Sequence, residues 1–156
     1  MTRKKLKYIK FLSLYPEFLL DGYKEVEIVA FRWVHNPLEK NDFLPLNLVS
    51  DPPQRLLDET DKLYLGYGLS LFDDLNKSIE KYKSFYRKQR THLKAHFVKD
   101  KGDSVAKLQL TKQDGVANTP NKSGHFTFYE YEGVELSDKV KCLTCIIDPD
   151  GKFVEI

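Results

Sequence analysis

The chain has 156 residues, of which 41% are hydrophobic and 31% charged, and its net charge is only +2. This length suits a single globular domain over residues 1–156, and the 10 Phe and 9 Tyr exclude a disordered chain. The small net charge provides no global field that would require a nucleic-acid partner.

Residues 1–22 imitate a secretion signal, with a basic start followed by an apolar stretch. Lys7 and Lys10 interrupt that stretch, Pro16 and Glu17 break it, and no small-residue cleavage pattern follows. No other segment approaches a membrane span, and two cysteines do not make a disulfide framework. We therefore expect a cytoplasmic protein that does not associate with a membrane.

The first predicted strand spans residues 24–35. Apolar side chains occupy both of its faces near the middle, which predicts a central place in a sheet. Residues 35–55 contain four prolines and no clean period, so we expect a long surface connection, with a short helix at 54–62. A second strand is predicted at 62–72, where Gly66 and Gly68 indicate a bulge or a close approach.

The dominant amphipathic helix is predicted at about residues 73–90. Apolar residues recur at helical spacing from Leu75 to Tyr86, and Asp73 or Asp74 can cap the first turn. Basic residues at its end complement the helix dipole.

Four more strands are predicted after this helix, at residues 91–100, 104–111, 125–132 and 139–148. The first two are expected to form a hairpin through residues 101–103. Residues 115–124 are predicted as a turn-rich loop, and 149–156 as a short final hairpin strand. This order predicts an α+β fold, in which a mainly antiparallel twisted sheet carries one dominant helix.

Two motifs favour structural explanations over metal binding. Cys142 and Cys145 have the spacing of a redox or zinc motif, but residues three apart in a strand point to opposite faces. We expect two half-buried cysteines. His92 and His96 could chelate only on one helix, and we expect them to span a helix end and a strand. No metal site is predicted.

A basic run extends from Lys77 to Lys94, with Tyr82, Phe85 and Tyr86 between the charges. Basic residues interleaved with aromatic ones suit nucleic acid. The aromatic residues, however, lie on the stripe that should face the sheet, and nearby acids dilute the charge. A solvated helix face is favoured, and nucleic-acid binding is kept as a third hypothesis.

One constellation suggests catalysis: Arg32 on the first strand, Ser70 on the second, and Glu130 and Glu132 on a late strand. This order resembles the R-S-E class of ADP-ribosyltransferases. The resemblance implies an NAD cofactor with its phosphates on Arg32 and a site shaped by Ser70. Glu132 would contact the nicotinamide ribose, and Glu130 would orient the acceptor. The two glutamates are also compatible with the solvent-exposed face of an edge strand.

A second resemblance covers residues 31–133. The segments "FRWVHNP", "NDFLPL", "GYGLSLFDDLNKSIEKY" and "GHFTFYEYEG" resemble, in this order, a group of short uncharacterised bacterial proteins. In proteins of that group, a strand that contains an arginine is followed by a loop with a DF motif. A GxSxF segment that leads into a helix and a strand with a Gly-His-aromatic-Thr motif come next. The group has no assigned activity, so the resemblance implies a domain and not a reaction.

The first functional hypothesis is a small cytoplasmic bacterial module that binds another protein or a small molecule, for example a partner protein in a toxin–antitoxin or defence-type locus. We expect its contact residues among Tyr64, Tyr67, Tyr129 and Tyr131. The predicted ligand-binding residues, which could meet in one cleft if their strands are neighbours, are Arg32, Ser70, His125, Thr127 and Tyr129. The alternative is the NAD-dependent transferase; the first hypothesis needs no cofactor.

Overall fold

A computed structural model describes residues 4–14, 20–49 and 64–155, and these residues form a seven-stranded sheet with helices packed on it. The strands are β1 (Lys24–Glu25), β2 (Ile28–Val34), β3 (Leu69–Phe72), β4 (Ser104–Leu110), β5 (Gly115–Ala117), β6 (His125–Glu130) and β7 (Val140–Cys145). Their order is β1-β5-β6-β3-β2-β4-β7, and all neighbours are antiparallel. The predicted α+β class is confirmed.

The helices of the described residues are short, apart from one. They are α1 (Ile9–Leu12), α2 (Leu46–Val49), α3 (Leu75–Lys88) and α4 (Lys94–Lys101), with 3-10 turns at Tyr64–Tyr67, Thr91–Leu93 and Leu136–Lys139. The dominant helix is therefore α3, as predicted. It begins after Asp74, whose side chain accepts a hydrogen bond from the Lys77 amide at 2.9 Å.

The central position predicted for the first strand is confirmed, because β2 lies between β3 and β4. Its alternation divides the sheet into two faces. Phe31 and Trp33 belong to the face on which α3 packs, here called the helix face, together with buried Ile79 and Tyr82. The opposite face, here called the cleft face, includes Ala30 and the large apolar cluster that continues onto β3, β4 and β6.

The strand predicted at residues 91–100 is wrong, because these residues form a 3-10 turn and α4. Phe97 is buried against α3 and the sheet. Gly102 ends α4 with a φ of +97°, and a Cβ at this position would collide with the carbonyl of Val34. The glycine thus stops a helix rather than turning a hairpin.

Three smaller expectations are changed by long-range pairing. The loop predicted at residues 115–124 contains β5, which pairs with both β1 and β6. The strand predicted at 62–72 begins only at Leu69, after a 3-10 turn. Residues 54–63, with the short predicted helix, lie outside the described residues. A bridge between Ile147 and Phe153 agrees with the final hairpin.

Cys142 and Cys145 are both free and exposed, not half-buried, because β7 is the edge strand of the sheet. Within the described ranges, no cluster of three His, Cys, Asp or Glu side chains could hold a metal ion. No helix in the same ranges is long and apolar enough to span a bilayer.

Candidate functional site

The strands that carry the predicted site residues are neighbours, in the order β6-β3-β2. Strand alternation nevertheless divides the residues between the two faces of the sheet. Arg32 and Glu130 point to the cleft face, with Ala30 and Phe128 as their neighbours. The remaining predicted ligand-binding residues point to the helix face: Ser70, His125, Thr127 and Tyr129.

The helix-face residues form a row rather than a cleft. Ser70 pairs with Thr127 in the β3–β6 register. His125 packs edge-on against Phe72, with 5.6 Å between ring centroids, and burial together with the charge of Lys81 lowers its pKa. Tyr129 is buried, and its hydroxyl donates to the carbonyl of Tyr64 at 3.2 Å.

The tyrosines expected to contact a partner are packed mainly inside the protein. Tyr129 belongs to a cluster with Leu6, Leu12 and Val116, and Tyr64, Tyr67 and Tyr131 pack against it. None of these four side chains is fully exposed. The N-terminal segment and the 3-10 turn at Tyr64–Tyr67 cover the end of the sheet, which a local pattern does not reveal.

The guanidinium of Arg32 donates its hydrogen bonds to backbone carbonyls. Its Nε donates to the carbonyl of Asp42 at 2.6 Å, and its two terminal nitrogens donate to the carbonyls of Ser70 at 3.0 Å and Leu44 at 3.4 Å. Burial lowers the pKa of Arg32 to about 10, although the carboxylates of Glu130 and Asp42 act in the opposite direction. An NAD pyrophosphate would have to displace these carbonyls.

The structure does not bring Arg32, Ser70 and Glu132 to one cleft. Arg32 reaches only the backbone carbonyl of Ser70, because the hydroxyl side chain of Ser70 projects from the other face. Glu132 is exposed beyond the end of β6. Of the residues compared with the transferase pattern, only Arg32 and Glu130 share a face and interact electrostatically.

A cleft of about 270 Å³ opens on the cleft face beside Glu130. Its apolar wall includes Leu38, Phe43 and Leu136. Its polar groups include Lys7, Tyr8, Glu39, Lys40, Glu130 and Glu135. Its volume is near the lower end of the range of small-molecule sites, and more of its lining residues are polar than apolar.

Glu130 lies at the inner end of this cleft, with its side chain only 1% exposed. Its Oε2 accepts a hydrogen bond from Lys7 Nζ at 3.1 Å, whereas its buried Oε1 has no hydrogen-bond partner. Burial raises the pKa of Glu130, and the charges of Lys7 and Arg32 only partly offset it. A buried carboxylate oxygen without a donor is rare and costly, so it requires an explanation.

Lys7 is shared between two carboxylates at the cleft. Its Nζ lies 3.1 Å from Glu130 and 3.9 Å from Glu135, and it also donates to the carbonyl of Val134. Burial raises the pKa of Tyr8 to about 12, and the negative charges of Glu130 and Glu135 add to the effect. Glu130 and Glu135 therefore act on both Lys7 and Tyr8.

The N-terminal segment brings Lys7 to the cleft by extending the pairing of β6. The Lys7 amide donates to the carbonyl of Glu130, and the Glu132 amide donates to the carbonyl of Lys5, both at 2.8 Å. Lys7, Tyr8 and Glu135 were missed as site residues. The only local signal is that Lys7 interrupts an apolar stretch. This interruption argues against a signal peptide but does not indicate which residue Lys7 pairs with.

The opposite wall of the cleft, in residues 36–45, is tied down by Asp42. Its Oδ2 accepts from the amides of His35 at 3.0 Å and Glu39 at 2.8 Å. His35 Nδ1 lies 2.6 Å from Asp42 Oδ1, and Nε2 lies 2.8 Å from the carbonyl of Lys99. Because a carboxylate and a carbonyl only accept, both ring nitrogens donate when His35 is an imidazolium.

Replacing Lys7 by methionine is expected to lower the free energy of unfolding by about 2 kcal/mol, because it leaves a buried carboxylate unpaired at the edge of solvent. Burial raises the pKa of Glu130, and the loss should shrink as pH falls through that raised pKa, because the neutral carboxyl needs no counter-ion. Urea denaturation at neutral pH and at a pH below the pKa of Glu130 measures both the loss of stability and its decrease. The double variant Lys7→Met, Glu130→Leu should recover most of the stability; an additive loss would contradict a direct interaction.

No family model, curated protein or solved structure matches this chain. The assignment of a site consequently depends on the geometry and chemistry described above.

Proposed function

We propose that this chain is a non-enzymatic module that binds a small molecule in the cleft beside Glu130. The observation that carries the proposal is the buried Glu130 Oε1, which has no donor although it belongs to a charged side chain. A ligand with an N–H group would provide that donor. Because the last torsion of a glutamate side chain is soft, the carboxylate can rotate to meet a donor in the cleft.

The surroundings of Glu130 support a ligand with a positively charged head and an apolar body. Three carboxylates line the cleft, those of Glu39, Glu130 and Glu135, against the two ammonium groups of Lys7 and Lys40. The apolar wall would cover the rest of the ligand and exclude water from the ion pair. Burial of that pair strengthens the attraction relative to water.

The arrangement supports binding better than ADP-ribosyl transfer. All three guanidinium nitrogens of Arg32 already donate to carbonyls, and the Ser70 side chain lies on the opposite face of the sheet. The proposal is consistent with an accessory protein of the bacterial cytoplasm that senses a small cation. NAD remains a useful probe, because thermal stabilisation by millimolar NAD would favour the transferase instead.

The proposal is tested with three probes that share one apolar body: benzylamine, benzyl alcohol and benzoate. Each is titrated to millimolar concentration while amide chemical shifts are recorded. Benzylamine should shift signals of the cleft residues most, benzyl alcohol less and benzoate least. In the isosteric variant Glu130→Gln the preference for the amine should vanish, because the amide carries no charge.

A blocked cleft provides the matched control. Ser137 lines the cleft and is exposed, so Ser137→Trp should occlude it without disturbing the core. Thr119→Trp adds the same bulk at an exposed position outside the cleft lining and should leave binding unchanged. If no probe shifts the cleft signals of the wild type, or if Ser137→Trp binds as well as the wild type, the proposed function is refuted.

A further inference from the structure

A second surface of the molecule is strongly basic. Between residues 77 and 101 the chain has nine Lys or Arg residues and two acidic ones, whereas the whole chain has 25 basic and 23 acidic residues. The rest of the chain therefore has an excess of acid. The basic segment coincides with α3, the following 3-10 turn and α4. We call the outward side of these elements the basic surface.

Within the described residues, the charges of the basic surface are not paired with carboxylates. The inward side of α3 packs Ile79 and Tyr82 on the sheet, which leaves its lysines and arginines on the outside. In the part of the chain that the structure describes, none of these nine side chains lies within 4 Å of a carboxylate. Lys7 and Lys139, in contrast, are both paired.

Helix electrostatics explains only some of these residues. Arg87 and Lys88 lie in the last turn of α3, where positive charge stabilises the helix dipole. Lys77 lies in the first turn, where the dipole disfavours positive charge, and Lys81 lies in the middle of the helix, beyond the reach of either end of the dipole. The helix dipole therefore does not account for Lys77 or Lys81.

Aromatic rings lie among the charges. Phe85 is 36% exposed, and the ammonium groups of Lys81 and Lys88 lie 5.1 and 6.0 Å from its ring centroid. On the other side of α3, Lys83 and Arg87 lie 5.2 and 5.3 Å from the ring of Phe153. An exposed ring flanked by flexible cations resembles the stacking platforms of proteins that bind single strands.

We propose that the basic surface binds single-stranded nucleic acid, with a base stacked on Phe85 and backbone phosphates on Lys77, Lys81 and Lys88. The charge complementarity favours a polyanion, and the exposed ring favours one whose bases are unpaired. This surface is separate from the cleft beside Glu130. The proposal therefore stands whether or not the cleft binds a small molecule.

The test uses a fluorescein-labelled oligouridine of about twelve nucleotides, a length typical of single-strand sites, and follows anisotropy over a series of salt concentrations. Affinity should fall steeply with salt, with a slope of roughly −0.7 per neutralised phosphate. Replacing Lys77, Lys81 and Lys88 by alanine should weaken binding and reduce the magnitude of this slope by about 2. Phe85→Ala should weaken binding about tenfold with little change in slope.

The matched control removes the same charge elsewhere, by replacing exposed Lys24, Lys112 and Lys141 with alanine. Equal losses in the two triple variants would show a non-specific effect of net charge and overturn the proposal. Equal competition by an oligoglutamate peptide of the same charge, or binding to phosphatidylserine vesicles without binding to oligouridine, would also overturn it. Circular dichroism confirms that each variant is folded before it is compared.

Discussion

Replacing Arg32 by methionine is expected to lower the free energy of unfolding by about 4 kcal/mol, because three carbonyls lose a charged donor. The guanidinium joins the Asp42 and Leu44 carbonyls of the 36–45 loop to the Ser70 carbonyl of β3. Methionine fills similar volume but donates nothing. Urea denaturation monitored by tryptophan fluorescence measures the loss, since Trp33 is on the same strand.

Two further variants show whether the carbonyl contacts are responsible. Arg32→Lys keeps the charge but lacks the planar fork, so it should lose about half as much stability. Lys107→Met removes a positive charge from the neighbouring strand at an exposed position and should change stability by about 0.5 kcal/mol or less. If Arg32→Lys is as stable as the wild type, charge rather than the three-carbonyl geometry is what matters.

Replacing Asp42 by asparagine is expected to lower the free energy of unfolding by about 3 kcal/mol, because the buried carboxylate accepts from two amides and an imidazolium. Burial alone would lower the pKa of His35, but the hydrogen bonds to Asp42 and to the Lys99 carbonyl, with the charges of Asp42 and Glu39, raise it above its ordinary value. The contribution of His35 is therefore fully present below about pH 6.5 and is lost as pH rises through the folded-state pKa.

His125 provides a control of opposite sign. Burial and Lys81 lower the pKa of His125, so its contribution is present above about pH 6.5 and is lost as pH falls through the folded-state pKa. The loss of stability on His35→Gln should shrink with rising pH, whereas the loss on His125→Gln should grow. Denaturation midpoints at about pH 5 and pH 8 distinguish the two. A His35→Gln loss that is independent of pH would contradict an imidazolium.

The cleft wall makes the His35–Asp42 pair relevant to binding. Leu38, Phe43 and Leu44 belong to the loop that this pair and Arg32 hold. A loop released from Asp42 would widen the cleft and weaken the contact between the ligand body and its apolar wall. The Asp42→Asn variant should therefore bind benzylamine more weakly even though Asp42 is not one of the residues that line the cleft.

Local pattern was sufficient where one element follows its own period. The apolar spacing from Leu75 to Tyr86 predicts α3, and its cap is predicted as Asp73 or Asp74, of which the structure selects Asp74. The continuous apolar middle of β2 predicts burial on both faces. Alternation along β6 places His125 and Thr127 on one face and Glu130 on the other, because the side-chain period of a strand does not depend on its partners.

Local pattern failed where a distant segment decides the structure. Residues 91–100 are predicted as a strand, yet the burial of Phe97 and the stop at Gly102 select a 3-10 turn and a helix. The cleft depends on Lys7 and Glu130, which are 123 residues apart and meet only because the N-terminal segment pairs with the end of β6. No period within either segment carries that information.

Composition and period by themselves determined the α+β class, the dominant helix, the central strand and the excess of positive charge over residues 77–101. The tertiary structure alone decided that Arg32 holds three carbonyls and that Glu130 keeps a buried oxygen without a donor. The reason is physical: a side chain's type limits what it can bind, but its pKa, burial and partners depend on groups that folding brings from distant parts of the chain.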